Sequence, residues 1–364
     1  MRILQILHDR ERGGVETLAH TIERGLDPHG IVFETAYLFG QPGLGILRKL
    51  SGATAMARRI LRGGFDALIA YQATASILVG AVGWLAGCRV RIVHQTCTPG
   101  ETALPVRLVD RAVGAFGLYT VNIANSAFTR AEFRDYPERY RRAMILIEHG
   151  LDPPAPSQPR GETRRRFGLP AARPLLLNVG RLVAQKNQGV LIRALPRLGD
   201  AHLAVVGSGA NADPYRGLAA DLGVADRLHL LGPIAAADIA DLYAAADLFV
   251  FPSTWETFGL AAIEAAMAGV PMVVADLAVL HEVLATEDPP VEDPVTFVAP
   301  HDVDRWATAI LNALAAPPAS EVKAEYAAKI ARKYSRAKMV ESYRRLLARN
   351  DTSAWNGLAR EISA

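Results

Sequence analysis

The sequence predicts an α/β protein made of two doubly wound parallel-sheet domains. Three observations carry this: short apolar runs alternate with helix-length amphipathic segments, one proline-rich stretch interrupts the alternation, and the alternation then restarts. A chain of 364 residues exceeds what one hydrophobic core usually organises, and with half of its residues hydrophobic it can build two.

Residues 3–7 form an apolar run after the single basic residue Arg2. The run is too short for a signal peptide and no small-residue cleavage site follows, so it reads as a first strand. Further strands are expected at 32–38, 67–70, 90–93, 119–124 and 145–147, separated by helices. Between Asp66 and Arg89 no charge occurs, which is long enough for a membrane span. Gln72, Thr74 and Ser76 interrupt it, however, and 76–86 suits a helix stopped by Gly87, so a strand and a helix are expected there. Prolines at 153, 154, 156 and 159 exclude helix and mark the linker. Strands resume at 174–179, 201–206, 228–231, 248–251, 272–275 and 295–298. After Asp302 only helical patterns remain, and the last, near 337–347, is expected to cross back to the first domain. The expected division is therefore 1–152, 153–335 and a returning helix in 336–364.

Cys88 and Cys97 are the only cysteines, which suggests neither a disulfide scaffold nor a zinc cage and fits a reducing compartment. Residues 1–170 carry 22 Lys and Arg against 15 Asp and Glu, and the remainder 18 against 22, so the first domain is the basic one. Arg58, Arg59 and Arg62, with Arg130, Arg134, Arg139, Arg141 and Arg142, can dock on anionic lipid at about 1 kcal/mol per residue, or simply form solvated helix faces. The expected location is cytoplasmic, peripheral on the inner face of the plasma membrane. The mild positive charge lacks interleaved aromatics, which argues against nucleic acid.

The chemistry concentrates in two strand-loop-helix segments of the second domain. After the strand 248–251, a helix is expected from about Thr257 as N-cap, so that the amides of Phe258, Gly259 and Leu260 meet an anion such as a diphosphate. Glu256 precedes that terminus and Glu264 lies inside the helix, placing two carboxylates at different heights along one ligand. Glu264 is surrounded in sequence by Ala261, Ala262, Ile263, Ala265 and Ala266, where a carboxylate is costly to bury without a partner. The strand 176–179 likewise leads through Gly180 to Arg181 and Lys186, two cations able to grip the same anion through charge-assisted hydrogen bonds of about 1.5–3 kcal/mol each.

On these residues the chain resembles the large family of retaining glycosyltransferases with the two-Rossmann GT-B architecture, family 4, also called glycosyl transferases group 1. The resemblance spans nearly the whole chain. Its most specific part is the E-x7-E pattern from Glu256 to Glu264 with Phe258-Gly259-Leu260 between, followed by 268–274. Gly180-Arg181-Leu182 to Lys186-Asn187 and the turn around Gly207 also match. The resemblance implies that two Rossmann-like domains face a central cleft. It implies that Arg181 and Lys186 hold the donor pyrophosphate, Glu264 the ribose, and Glu256 with the amides after Thr257 the transferred sugar. Gly13 and Gly14, with Glu16 on the acceptor side, resemble the family's N-terminal glycine loop, and His94 stands where a histidine contacts the reacting sugar.

Further implications are metal-independent transfer with retention, no cofactor besides a UDP- or GDP-linked sugar, and a sugar or lipid-linked acceptor in cell-surface polysaccharide or glycolipid assembly, lipopolysaccharide included. Tyr71-Gln72, the stretch 147–152 and Ala278-Val279-Leu280 depart from the family pattern, which bears on the acceptor. Asp302-Val303-Asp304 spells D-x-D but reads as helix capping. A sugar-nucleotide epimerase and a non-catalytic nucleotide-sugar-binding protein are the alternative readings.

Overall fold

The computed structural model describes residues 1–8, 14–39, 45–286 and 294–348. They form two compact units, one of Met1–Gly150 with the chain from Tyr334 onward, the other of Leu151–Lys333.

The first unit holds a parallel six-stranded sheet of β1 (Arg2–Leu7), β2 (Val32–Tyr37), β3 (Ala67–Tyr71), β4 (Val90–Gln95), β5 (Val121–Ala124) and β6 (Met144–Leu146), in the order β2-β1-β3-β4-β5-β6. Every residue of β3 is buried, as expected of an uninterrupted apolar strand covered on both faces. One face is packed by the helix Gly14–Leu26, through Leu18, Ile22 and Leu26 at helical spacing, and by the helix Arg336–Ala348, through Met339, Tyr343, Leu346 and Leu347. The last helix thus completes the first unit's core. The other face is covered by the helices Ile46–Leu61, Ala73–Leu85 and Leu104–Ala115.

The uncharged stretch after Asp66 divides into β3 and the helix Ala73–Leu85, and among the described residues no helix is long and apolar enough to cross a membrane. That helix begins three residues earlier than its sequence suggests. Gln72 adopts φ 92°, which breaks the strand at once, and its carbonyl accepts the Ser76 amide at 3.0 Å, closing the first turn.

The second unit repeats the plan with β7 (Leu175–Val179), β8 (His202–Val206), β9 (Leu228–Gly232), β10 (Leu248–Phe251), β11 (Met272–Ala275) and β12 (Val295–Val298), all parallel, in the order β12-β11-β10-β7-β8-β9. The proline-rich stretch is pinned to it: the amides of Ser157 and Gln158 donate to Asp241. Asp302 caps the helix Val303–Ala315, its carboxylate accepting the Arg305 amide at 3.0 Å, while Asp304 pairs with Arg197.

Candidate active site

In parallel sheets the carboxyl ends of the strands present loops and helix N-termini, and ligands bind there. In the second unit the loops after β7 and β10 are clasped together at that edge. The Thr254 amide donates to Gln185 O at 2.8 Å and Gln185 Nε2 to Trp255 O at 3.0 Å. Asn187, at φ 49°, donates its Nδ2 to Pro252 O at 3.2 Å and Pro300 O at 2.7 Å. These bonds fix the backbone on either side of Lys186 and just before Glu256.

Lys186 Nζ is ion-paired with Glu256 Oε1 and lies 5.1 Å above the Phe251 ring centroid. Only 16% of the lysine side chain and 9% of the glutamate side chain is exposed. The sequence treats the two as separate contacts to one ligand, and the structure joins them. An ammonium has three donors and a carboxylate two oxygens, so each group keeps hydrogen-bonding capacity for an anion and a hydroxyl side by side. Arg181 is exposed in the same loop, its carbonyl held by Gln188 Nε2 at 3.0 Å.

The helix expected from Thr257 begins later, at Leu260, with Gly259 at its N-cap. Gly259 takes φ 82°, and a Cβ there would lie 2.9 Å from Leu280 Cδ2, so the chain turns where only glycine fits well. Thr257 is therefore not the cap, and Phe258 is 2% exposed, its ring being part of the core. The first amides inside the helix belong to Leu260 and Ala261, which have no acceptor within it. Further along, Glu264 Oε2 lies 3.1 Å from the Tyr243 hydroxyl, which is also 3.2 Å from Ala261 O. Burial pushes the Glu264 pKa up and the tyrosine bond opposes it. Gly207, at φ 138°, has a packing reason of its own: a Cβ would come within 2.0 Å of Gly180 O, so the loops after β7 and β8 meet backbone to backbone.

In the first unit Gly14 opens the helix Gly14–Leu26, while Gly13 lies outside the described residues. Glu16, in that helix's first turn, accepts a hydrogen bond from the Tyr37 hydroxyl at 2.8 Å. His94 corrects the expectation of a side chain held ready for a sugar. It is 2% exposed, stacks on Tyr71 with ring centroids 4.5 Å apart, and uses both ring nitrogens. Nδ1 is 3.0 Å from the Ala70 carbonyl, which can only accept, so Nδ1 carries the proton. Nε2 then accepts from the Tyr343 hydroxyl at 2.6 Å. In this conformation the imidazole is a buried, fully bonded member of the sheet edge, since the returning helix covers it.

The family model described as glycosyl transferases group 1 matches residues 159–332, the stretch that holds Arg181, Lys186, Glu256 and Glu264. A D-inositol 3-phosphate glycosyltransferase of Mycobacterium avium is 34% identical over 303 residues, covering 74% of this chain and 68% of the relative. The chain belongs to the glycosyl transferases group 1 family.

Another relative of the group, a D-inositol 3-phosphate glycosyltransferase of Xylanimonas cellulosilytica, is 34% identical over 66% of this chain; the match spans 62% of that relative's own length. Among solved structures, HepE of Anabaena in complex with UDP and glucose superposes with a TM-score of 0.77 at 20% identity, covering 96% of this chain and 99% of that one. This likeness shows the GT-B fold.

Some partners of the predicted residues stand outside the group 1 motifs. Tyr243 lies outside the signature residues and Phe251 ends the strand before them, and within the first unit Tyr343 reaches His94 across 249 positions of sequence. Phe251 alone had a signal, as the last apolar residue of a strand ending beside two charged loops.

A pH dependence follows from the buried histidines. Burial lowers the His94 pKa to about 4, although its bond to Ala70 opposes this. Burial, with the nearby His94, lowers that of His149 to about 3. His149 Nε2 sits 3.1 Å from Asn125 Nδ2. Above the ordinary histidine pKa both states of the protein are neutral here; below it the unfolded chain takes protons that the folded unit refuses. Stability therefore falls on acidification, on the order of 1.4 kcal/mol per pH unit for each histidine until its folded pKa is reached. Thermal melts from pH 7.5 to 5 should show a falling midpoint, with a shallower slope in His149→Gln; a midpoint independent of pH would contradict this.

Proposed function

We propose that this chain is a retaining, metal-independent glycosyltransferase that transfers a sugar from a nucleoside diphosphate donor, UDP- or GDP-linked, to a hydroxyl of a sugar or lipid-linked acceptor. Cell-surface polysaccharide or glycolipid assembly in the cytoplasm is the setting that fits such an acceptor. The observation that carries the reading is the Lys186–Glu256 pair over Phe251, clasped between the ends of β7 and β10. Lys186 and Arg181 supply positive charge for a pyrophosphate, and the first amides of the helix Leu260–Met267 add donors. Glu256 accepts from sugar hydroxyls. Glu264, with one oxygen fixed by Tyr243, accepts from the ribose with the other. Structures of HepE with UDP-glucose, which share the fold, agree with a sugar-nucleotide donor.

In the step itself, the bond from the anomeric carbon to the leaving phosphate oxygen breaks. The bond to the acceptor oxygen forms on the same face, and the acceptor proton passes to the departing diphosphate. The two cations stabilise the negative charge that develops there. No side chain of the chain is needed as a covalent nucleophile in this route.

The test is a thermal-shift screen of UDP-, GDP- and ADP-sugars, since a ligand bound only by the folded state at about 100 times its Kd stabilises it by about 2.7 kcal/mol. A UDP- or GDP-sugar should raise the melting temperature, and turnover should persist in EDTA. Proton NMR of the new linkage should show the donor's anomeric configuration, whereas inversion would refute retention. Glu264→Gln should raise donor KM about tenfold, because a neutral amide replaces a charged acceptor.

A further inference from the structure

Lys186 is followed at once by a residue in the left-handed backbone region. Among the described residues only Gln72 and Asn187 combine a side chain with a positive φ, and asparagine is one of the few residue types that tolerate it. Asn187 also directly precedes the helix Gln188–Ala194, a position from which an asparagine side chain ordinarily caps the first turn. Here it makes no cap bond. Its amide is turned to two other strand ends instead, donating to Pro252 O just after β10 and to Pro300 O shortly after β12. An amide nitrogen carries two hydrogens, and these two bonds use both.

Both acceptors are held from their own side. The turn that carries Pro300 is fixed by the buried Trp306, whose indole N–H donates to Ala299 O at 3.0 Å, and the segment after Pro252 is fixed by the Thr254 amide on Gln185 O at 2.8 Å. In the order β12-β11-β10-β7, one side chain therefore joins the ends of three strands spread over four positions. Lys186 belongs to one of the loops so joined and Glu256 to another.

We propose that Asn187 is a positioning residue that sets the height of Lys186 against Glu256, and through it the preference for a whole nucleotide sugar over the bare nucleoside diphosphate. This role rests on the donor reading, in which the ammonium meets the diphosphate and the carboxylate meets the sugar. The diphosphate is common to both ligands and is gripped by charge, whose attraction falls off slowly with distance. A hydroxyl hydrogen bond to Glu256 weakens steeply once distance and angle leave their narrow range. A slip of the loop after β10 against the loop after β7 therefore costs the sugar contact far more than the diphosphate contact, and the Asn187 amide prevents that slip.

The experiment is isothermal titration of the full chain with UDP-glucose against UDP, and with GDP-mannose against GDP in parallel. Two variants keep the backbone conformation and remove the donor. Glycine adopts a positive φ without strain, and aspartate, of nearly the same shape, tolerates it but has no N–H to give. Asn187→Gly is expected to weaken the nucleotide sugar about tenfold while changing the nucleoside diphosphate by less than about twofold, with Asn187→Asp moving in the same direction. Lys186→Ala is the control for the donor reading, since it should weaken both ligands together. Equal losses for both ligands in the Asn187 variants, with a lower melting temperature, would make Asn187 merely structural and overturn the proposal. So would a parental ratio of the two affinities in Asn187→Gly while Lys186→Ala loses both. If Lys186→Ala leaves both ligands at parental affinity, the donor site itself falls, and the role of Asn187 with it.

Discussion

Lys186→Ala is expected to lower kcat/KM about 100-fold, since the ammonium contributes charge-assisted hydrogen bonds of about 1.5–3 kcal/mol both to the bound diphosphate and to its developing charge. The substitution also strands Glu256, whose side chain is 9% exposed and faces the missing cation. Glu256→Gln should therefore cost less in the Lys186→Ala background than alone, and a double-mutant cycle on kcat/KM measures that coupling. Lys186→Arg is not expected to restore activity. The stem packs over Gly180 and the ammonium sits on the Phe251 ring, a place shaped for a point charge and not for a planar fork. Activity within about twofold of the parent in Lys186→Ala, correctly folded, would remove the donor site proposed here.

The second large effect is on stability. Arg164 is 1% exposed, yet its guanidinium donates to the carbonyls of Ala245, Pro170, Ala171 and Arg173 and to Asp247 at 2.8 Å. It joins the first helix of the second unit, Arg160–Arg166, to the amino end of the sheet, where Asp247 also accepts the Leu175 amide. Arg164→Ala strands these acceptors and is expected to cost about 3–5 kcal/mol, lowering the melting temperature of that unit by about 10 °C. A change under about 1 kcal/mol in chemical denaturation would refute the role. Burial raises the Asp247 pKa, but bonds from Arg160, Leu175 and Arg164 outweigh it and the net shift is downward. The stabilisation is therefore present above the ordinary aspartate pKa and is lost as pH falls through the folded value.

Much of the fold was legible because buried parallel strands must be apolar runs and their covering helices amphipathic; β3, β10 and β11 are buried throughout and stood out as such. Boundaries were less legible. Gln72 moves one helix start three residues earlier and Gly259 moves another cap two residues later, and in both cases a positive φ decides, a property that hydrophobic periodicity does not encode. In the candidate site, Lys186, Glu256 and Glu264 were visible as charges placed at strand ends or in apolar surroundings. Their partners were less so, since Phe251 showed only as the end of a strand and Tyr243 reads as an ordinary core residue.

The sequence by itself determined two parallel-sheet units, the proline-rich connection between them and the charged residues of the loops after β7 and β10, because period, composition and backbone restriction are local properties. Tertiary structure alone decided that Lys186 and Glu256 form an ion pair, that Tyr243 orients Glu264, and that Tyr343 bonds the second ring nitrogen of His94. Those pairings join residues 70, 21 and 249 positions apart, and only the register of strands and the packing of helices bring such groups within hydrogen-bonding distance.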